Sequence, residues 1–434
     1  MTTTRKPKIT LLCGDVLKRL QTLADNSVHC VVTSPPYWGL RDYGTGKWRG
    51  GSKTCAHKKQ RLNPHLEGST LGGGQKNNGH QVEGFKFKCP RCGAIRVDDQ
   101  IGLERTPEEY IAKMVAVFAE VRRVLRDDGT LWLNLGDSYA SDSGKGGRCE
   151  GYARAMRAGS GRADGIVDKR GQRNRDGVPR THGLKAKDLV GIPWMLAFAL
   201  RADGWYLRQD IIWSKPNPIP EPVTDRCTKS HEHIFLLTKS KRYFFDHWAI
   251  QEPSVCVGKR GPGNYAASKE AHGTGSSHTG LVEFRNKDEH ITRNKRNVWT
   301  VATQPYKEDH FATFPEALIT PCVLAGTSSY GCCPQCGEPY RRVMRRSERT
   351  YHAQQAGCVD RRYLQGRPTH AEHIGWEMSC YCAALPSSPC SVLDPFCGTG
   401  TVGVVCKRLA LNFTGIDLNR KYLQMAKRRI AGAK

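Results

Sequence analysis

Apolar positions along the chain alternate between two spacings. Short β-branched or aliphatic runs, "KITLLCGD" at 8–15 and "VHCVVT" at 28–33, predict buried strands, with the helix "VLKRLQTLAD" between them. At 107–126, "PEEYIAKMVAVFAEVRRVLR" carries apolar residues at helical spacing. It leads through "DDGT" into the strand "LWLNLGD". A second helix–strand pair, "GIPWMLAFALRADG" and "WYLRQDIIWSKPNP", follows, and 233–246 predicts a hairpin around "KSKR". The chain closes with "SVLDPFCGTG", the helix "TVGVVCKRLAL", the strand "NFTGID" and a basic amphipathic helix "LNRKYLQMAKRRI". Alternation of this kind predicts an α/β fold.

Four stretches break the pattern. Residues 50–97 and 332–385 carry paired cysteines, 141–186 is rich in Gly and Arg as in a mobile basic loop, and 251–300 is polar and basic. The expected division is a core made of 1–49, 98–140, 187–250, 301–331 and 386–434, with 251–300 as a target-recognition region.

Charge narrows the partner. Lys and Arg number 67 against 41 Asp and Glu, a formal +26 over 434 residues. Such a surplus suits a polyanion, since each cation set against a phosphate releases a condensed counterion. No run of 18 apolar residues is present and the N-terminus shows no export signal, so the expectation is a cytoplasmic protein on DNA, with no membrane partner. Eighteen cysteines in such a chain point to metal sites rather than disulfides.

"VLDPFCGTGTVG" at 392–403 is a strand, an acid, a glycine turn and a helix start. Gly398 and Gly400 permit close backbone approach to a ligand, and the helix N-terminus offers unpaired N–H groups. No Lys follows the second glycine, which disfavours a phosphate-cradling loop. Asp417 ends the next strand, where an open α/β sheet holds an acid for ribose hydroxyls. As plain turn chemistry the glycines would mean little; the order strand, turn, helix, strand, acid is what carries the reading.

"TSPPYW" at 33–38 follows a buried strand with two prolines that forbid its continuation. This tip holds no nucleophile with a base beside it. It offers the Ser34 hydroxyl, the Pro35 carbonyl, backbone stiffened by Pro35 and Pro36, and the Tyr37 ring. Those groups suit an exocyclic amino group on a flat heterocycle: two acceptors for its protons and a ring to stack on it. A duplex base reaches such a site only when flipped out of the stack. The bland alternative is a proline-stiffened loop.

Together, "TSPPYW" and "DPFCGTGT" resemble the DNA amino-methyltransferases, which move a methyl group from S-adenosylmethionine to adenine N6 or cytosine N4. "CGDVLKRL", "IIWSKPNPIPEP…HEHIFLLTKS" and "HFATFPEALI" extend the resemblance. The catalytic motif precedes the cofactor motif, an order similar to the circularly permuted β class. The resemblance implies a Rossmann-like methyltransferase. In it Asp15 contacts the adenine, Asp394, Phe396, Gly398, Gly400 and Thr401 surround the methionine part, Asp417 takes the ribose, and Ser34 to Tyr37 hold the base. Cys397 adjoins the pocket as small filler. A restriction-modification setting, a bacterial or phage-infected cell and a homodimer are further expectations of the resemblance.

The cysteine inserts depart from the plainer family pattern. Cys333, Cys336, Cys380 and Cys382 fit a tetrahedral structural zinc in a zinc-ribbon-like insert, with Cys332 and Cys358 as spare ligands. Cys55, His57, Cys89 and Cys92 make a second set, with His65 and His80 competing for a place. Competing functions are methylation of RNA or of a protein amide, and a DNA-binding protein with a decayed methylase core. Against the first, the related tip usually starts with Asn; against the second, tip and glycine turn are intact. Between targets, a leading Ser resembles cytosine-N4 enzymes more often, whereas adenine-N6 enzymes are commoner. The aromatic area of Tyr37 and Trp38 tips the expectation slightly to adenine.

Overall fold

The structure is a computed structural model. It describes residues 7–38, 46–52, 54–57, 60–61, 83–84, 89, 91–97, 100–104, 106–140, 184–185, 187–253, 292–304, 314–346, 371–383 and 386–433. Eight strands form the central sheet: β1 (Ile9–Cys13), β2 (Val28–Thr33), β3 (Leu125–Leu135), β4 (Tyr206–Ser214), β5 (His231–Thr238), β6 (Val298–Thr300), β7 (Ser391–Asp394) and β8 (Asn412–Asp417). Their order is β1-β8-β7-β2-β3-β5-β4-β6. All pairings are parallel except those of β5 with β3 and β4.

Helices cover both faces: α1 (Val16–Leu20), α2 (Pro107–Val124), α3 (Ile192–Ala202), α4 (Glu316–Gly326), α5 (Thr401–Arg408) and α6 (Arg420–Gly432). Strand alternation sorts the core into two layers. Val31, Leu131, Leu133 and Phe235 pack with Tyr110 and Met114 of α2 and Leu196 of α3. Cys30, Val32, Trp132 and Ile234 point the other way, onto Leu318 and Val323 of α4 and Val402 of α5. Burying each such large side chain contributes about 1.5–3 kcal/mol before conformational entropy is subtracted. The predicted start of α2 has a mechanism: Thr106 Oγ1 accepts from Glu109 N at 3.1 Å, and Pro107 occupies the first turn.

The permuted order has a direct structural consequence. β2 and β7 lie hundreds of residues apart in sequence, yet they pair in parallel, with Val392 opposite Cys30 and Leu393 opposite Val31. Their carboxyl ends, Thr33 and Asp394, therefore reach the same edge of the sheet, where open α/β folds hold ligands.

Two predicted elements differ. The hairpin around "KSKR" is absent: β5 pairs with β3 on one side and β4 on the other, so both its edges are filled. Residues 241–246 form no strand, and Phe244 N instead donates to Asp128 O at 2.8 Å. The first helix stops at Leu20, where Gln21 N still caps Leu17 O, and turns through 21–27 into β2. Among the described residues no helix is long and apolar enough to cross a membrane.

Candidate active site

The carboxyl ends of β1, β2, β7 and β8 enclose a cleft. Asp15, Ser34, Pro36, Asp394, Phe396, Gly398, Thr401 and Asp417 all line it, so one cavity gathers most of the residues singled out from sequence. Pro35 is buried and does not line it. Gly400 turns the chain at φ +80, and a Cβ there would stand 2.7 Å from Ala426 Cβ. That glycine lets α6 approach the turn rather than clearing space for a ligand. Cys397 packs against Gly415, whose added Cβ would meet its Sγ at 2.6 Å, and burial pushes its thiol up. It fills space, as expected.

The cleft's acids are tied to their strands. Asp394 Oδ1 accepts from Thr33 Oγ1 at 2.7 Å and from Phe396 N at 3.0 Å. Burial pushes its carboxyl up to about 7, although both donors pull the other way. Asp417 accepts from Gly398 N at 2.8 Å and Asn419 N at 2.7 Å, and burial pushes it up to about 6. Asp15 accepts from Lys18 N at 3.0 Å as the N-cap of α1.

At the tip, Tyr37 is held by its hydroxyl. It donates to Glu232 Oε2 at 2.7 Å, with Asn134 Oδ1 at 3.3 Å, and Ser34 Oγ donates to it at 3.4 Å. Tyr110 Oη donates to Pro36 O at 2.9 Å, fixing the tip from α2. Tyr37 and Trp38 both pack against the α2-side core, neither ring lines the cleft, and Trp38 Nε1 donates to Glu104 O at 3.0 Å.

Sequence reasoning missed several members. Gln100, Ile101, Asn419 and Tyr422 complete the cleft wall, together with Phe314 of the "HFATFPEALI" segment, which the resemblance places at the methionine pocket. Asn134, Lys215 and Glu232 stand behind Tyr37. The textual trace of Glu232 is an acid between two histidines at the head of a strand, "HEHIFLLT", inside a segment that also carries the resemblance.

Both metal-ligand sets assemble. Within each, the ligand atoms of Cys55, His57, Cys89 and Cys92, and of Cys333, Cys336, Cys380 and Cys382, lie within 4.8 Å of one another. Cys55 Sγ and Cys89 Sγ stand 3.8 Å apart, the edge length of a tetrahedron with metal–sulfur bonds of about 2.3 Å. His57 Nε2 lies 3.2 Å from Cys92 Sγ, and Trp48 stacks on the His57 ring. Cys332 joins neither set. It meets His29 and Cys390 in a buried group, but His29 Nδ1 accepts from Ser391 N at 3.0 Å and Nε2 donates to Gly337 O at 2.8 Å. With both ring nitrogens committed, His29 has no lone pair for a metal.

The two sets sit differently. Residues 47–49 pair with 95–97, a ladder that stands in sequence between the tip at 34–38 and the cleft residues Gln100 and Ile101. The other set docks near the starts of β2 and β3 through His29 and Arg126, whose guanidinium donates to Cys336 O at 2.9 Å and Glu338 at 3.0 Å. The competing ligands His65 and His80 and the spare Cys358 lie outside the described residues, as do nearly all of the basic loop, most of the recognition region 251–300 and residues 310–313.

A permuted α/β sheet with a glycine turn and a Ser-Pro-Pro-Tyr tip at one cleft defines an amino-methyltransferase. Residues 28–332 and 390–428 match the family model described as DNA methylase, covering the N6/N4 methyltransferases, and the chain belongs to that family. It is 34% identical over 423 residues to the type II methyltransferase M.Cfr9I of Citrobacter freundii, covering 98% of this chain and 88% of that protein. Against M.SmaI of Serratia marcescens it is 33% identical over 420 residues, 97% of this chain and 90% of the relative. Among solved structures, the cytosine-N4-specific PvuII DNA methyltransferase aligns with a TM-score of 0.45 at 12% identity, over 99% of this chain and 90% of that one. The protein is thus an S-adenosylmethionine-dependent enzyme of site-specific DNA amino-methylation, a reading favoured over RNA or protein-amide methylation and over a non-catalytic DNA-binding protein.

Proposed function

We propose that the Ser34–Tyr37 tip holds a flipped DNA base beside the cofactor cleft, and that two zinc ions brace the enzyme. The carrying observation is that Ser34, Pro36, Asp394 and Asp417 line one cavity although they come from opposite ends of the chain. The residues fit S-adenosylmethionine: buried carboxyls with raised pKa values favour a cationic ligand, and Phe396 and Phe314 offer apolar surface. When bound, that cofactor supplies a methyl group on a sulfonium, ready for in-line attack. Asp394, Phe396, Gly398 and Thr401 would surround its methionine part, Asp417 its ribose and Asp15 its adenine.

The protein's own work is positioning. Ser34 Oγ and the Pro35 carbonyl accept the two amino protons, which turns the nitrogen lone pair out of the ring plane and toward the cleft. Tyr37 stacks on the base. No covalent enzyme intermediate is required, so alignment and fixed dipoles carry the rate. Either adenine N6 or cytosine N4 satisfies these contacts. The paired cysteines belong to inserts 50–97 and 332–385, and target recognition to the expected region 251–300 short of its end, since Val298–Thr300 is the edge strand β6 of the core sheet.

The test is Ser34→Ala. It should slow methylation of DNA by about 10- to 1000-fold, as expected for one lost, positioned hydrogen bond, with S-adenosylmethionine affinity unchanged. A variant that methylates at the parent rate would remove the tip from the mechanism.

A further inference from the structure

Behind the tip, three strand ends converge on one carboxylate. Glu232, at the start of β5, takes the Tyr37 hydroxyl on Oε2, and the same oxygen accepts from Asn134 Nδ2 at 3.2 Å. Asn134 sits near the end of β3 and also donates to His233 O at 3.1 Å, so both of its amide hydrogens are used. The other carboxylate oxygen, Oε1, is paired with Lys215, which follows β4 directly and lies 4.3 Å from the centre of the Trp213 ring. The Lys215 and Glu232 side chains are only 18% and 15% exposed, so the pair is held in place rather than solvated.

Hydrogen-bond direction follows from these charges. Burial pushes the Glu232 carboxyl up, but the ion pair with Lys215 and its hydrogen bonds outweigh that and hold it below the ordinary value. It is a carboxylate at neutral pH and can only accept. Burial, with Glu232 facing it, pushes the Tyr37 phenol well up, so its single proton stays on and points at Glu232. The Tyr37 oxygen has lone pairs left, and Ser34 donates into them at 3.4 Å. Ser34 Oγ then turns only acceptor lone pairs toward the cleft.

Direction matters for the chemistry. A serine proton pointed at the target would bond to the amino nitrogen's lone pair, the same electrons that must form the new bond to carbon. A serine that can only accept leaves that lone pair free.

We propose that Glu232 is a positioning residue that acts through Tyr37 to make Ser34 an obligate hydrogen-bond acceptor for the target amino group. The inference rests on the assignment of the tip to the base. A glutamine in place of Glu232 has the same shape but presents an amide that donates to Tyr37 and reverses the chain.

Single-turnover methylation of a DNA substrate, with calorimetric S-adenosylmethionine affinity measured alongside, tests this. Glu232→Gln and Tyr37→Phe should each slow transfer by about 10- to 100-fold, with cofactor affinity unchanged. The double variant should be no slower than the slower single, because both changes break one chain. Lys215→Met combined with Glu232→Leu removes the ion pair as a whole and leaves Tyr37 without the carboxylate it donates to. It should remain slow, and it carries the same test if Glu232→Gln alone does not fold. Parent-rate transfer by Glu232→Gln, multiplicative losses in the double variant, or recovery in the Lys215→Met pair would each overturn the proposal. A slow Ser34→Ala beside a normal Glu232→Gln would sink this inference alone, whereas a normal Ser34→Ala would sink the assignment of the tip itself.

Discussion

Thr33 Oγ1 donates to Asp394 Oδ1 across 2.7 Å, joining the last residue of the base-holding strand to the last residue of the cofactor strand. Both residues are essentially inaccessible to water. This bond connects the two halves of the site, and it satisfies a carboxyl that among the described residues is otherwise met by Phe396 N at 3.0 Å. Thr33→Val keeps the shape and removes the donor. Urea unfolding should show a loss of about 1–3 kcal/mol with an unchanged denaturant slope, the cost of leaving a buried acceptor short of a partner. Thr33→Ser, which retains the hydroxyl, should lose less.

Asp394 and Asp417 make the apo protein and its cofactor affinity respond to pH in opposite ways. Their pKa values, pushed up to about 7 and about 6, stand above the value of about 3.9 for an unfolded Asp. The folded protein therefore binds protons that the unfolded chain has released. The associated stability is full below about pH 4 and is lost as the pH rises through about 6 and about 7. A cationic ligand favours the ionised acids, so S-adenosylmethionine should bind more tightly as pH rises over that range. Its demethylated product, which lacks the sulfonium charge, should show a shallower dependence. Calorimetry in buffers of different ionisation enthalpy should detect proton release on binding, and a flat affinity profile would contradict the assignment of these acids.

The two metal sets should separate by phenotype. Elemental analysis should give roughly two zinc ions per chain, one for each four-ligand set. Cys92→Ser disturbs the ladder that leads to Gln100 and Ile101, and should weaken cofactor binding as well as lose metal. Cys336→Ser disturbs the set docked on His29 and Arg126 near the strand starts. It should lower thermal stability while cofactor affinity stays near the parent value. Loss of cofactor affinity in Cys336→Ser but not in Cys92→Ser would reverse the two roles.

How far the sequence revealed this arrangement depended on how local each signal was. The strand-ending acids, the glycine turn and the Ser-Pro-Pro-Tyr tip are contiguous motifs, and the structure brings Asp394, Asp417, Gly398, Ser34 and Pro36 of them to one cleft. The grouping of the cysteine sets was legible because the spacing of each Cys-x-x-Cys pair is itself local. Asn134, Lys215 and Glu232 were not, because each is one polar residue at the end of a different strand, and their meeting exists only once β5 lies between β3 and β4. The false hairpin has the same origin. Apolar residues on both sides of "KSKR" look like partners, whereas the partners of β5 come from 125–135 and 206–214. Trp38 shows the converse limit: it was singled out as a ring for the base, and its indole instead anchors the tip to Glu104.

The central claim is transfer of a methyl group to an exocyclic amino nitrogen of DNA. Purified protein should be incubated with unmethylated plasmid and isotopically labelled S-adenosylmethionine, and the DNA then digested to nucleosides and separated by mass. The account predicts label in N6-methyladenine or in N4-methylcytosine and in no other nucleoside, abolished or strongly reduced by Ser34→Ala. Label in 5-methylcytosine, or none in DNA from protein that binds the cofactor, would contradict it.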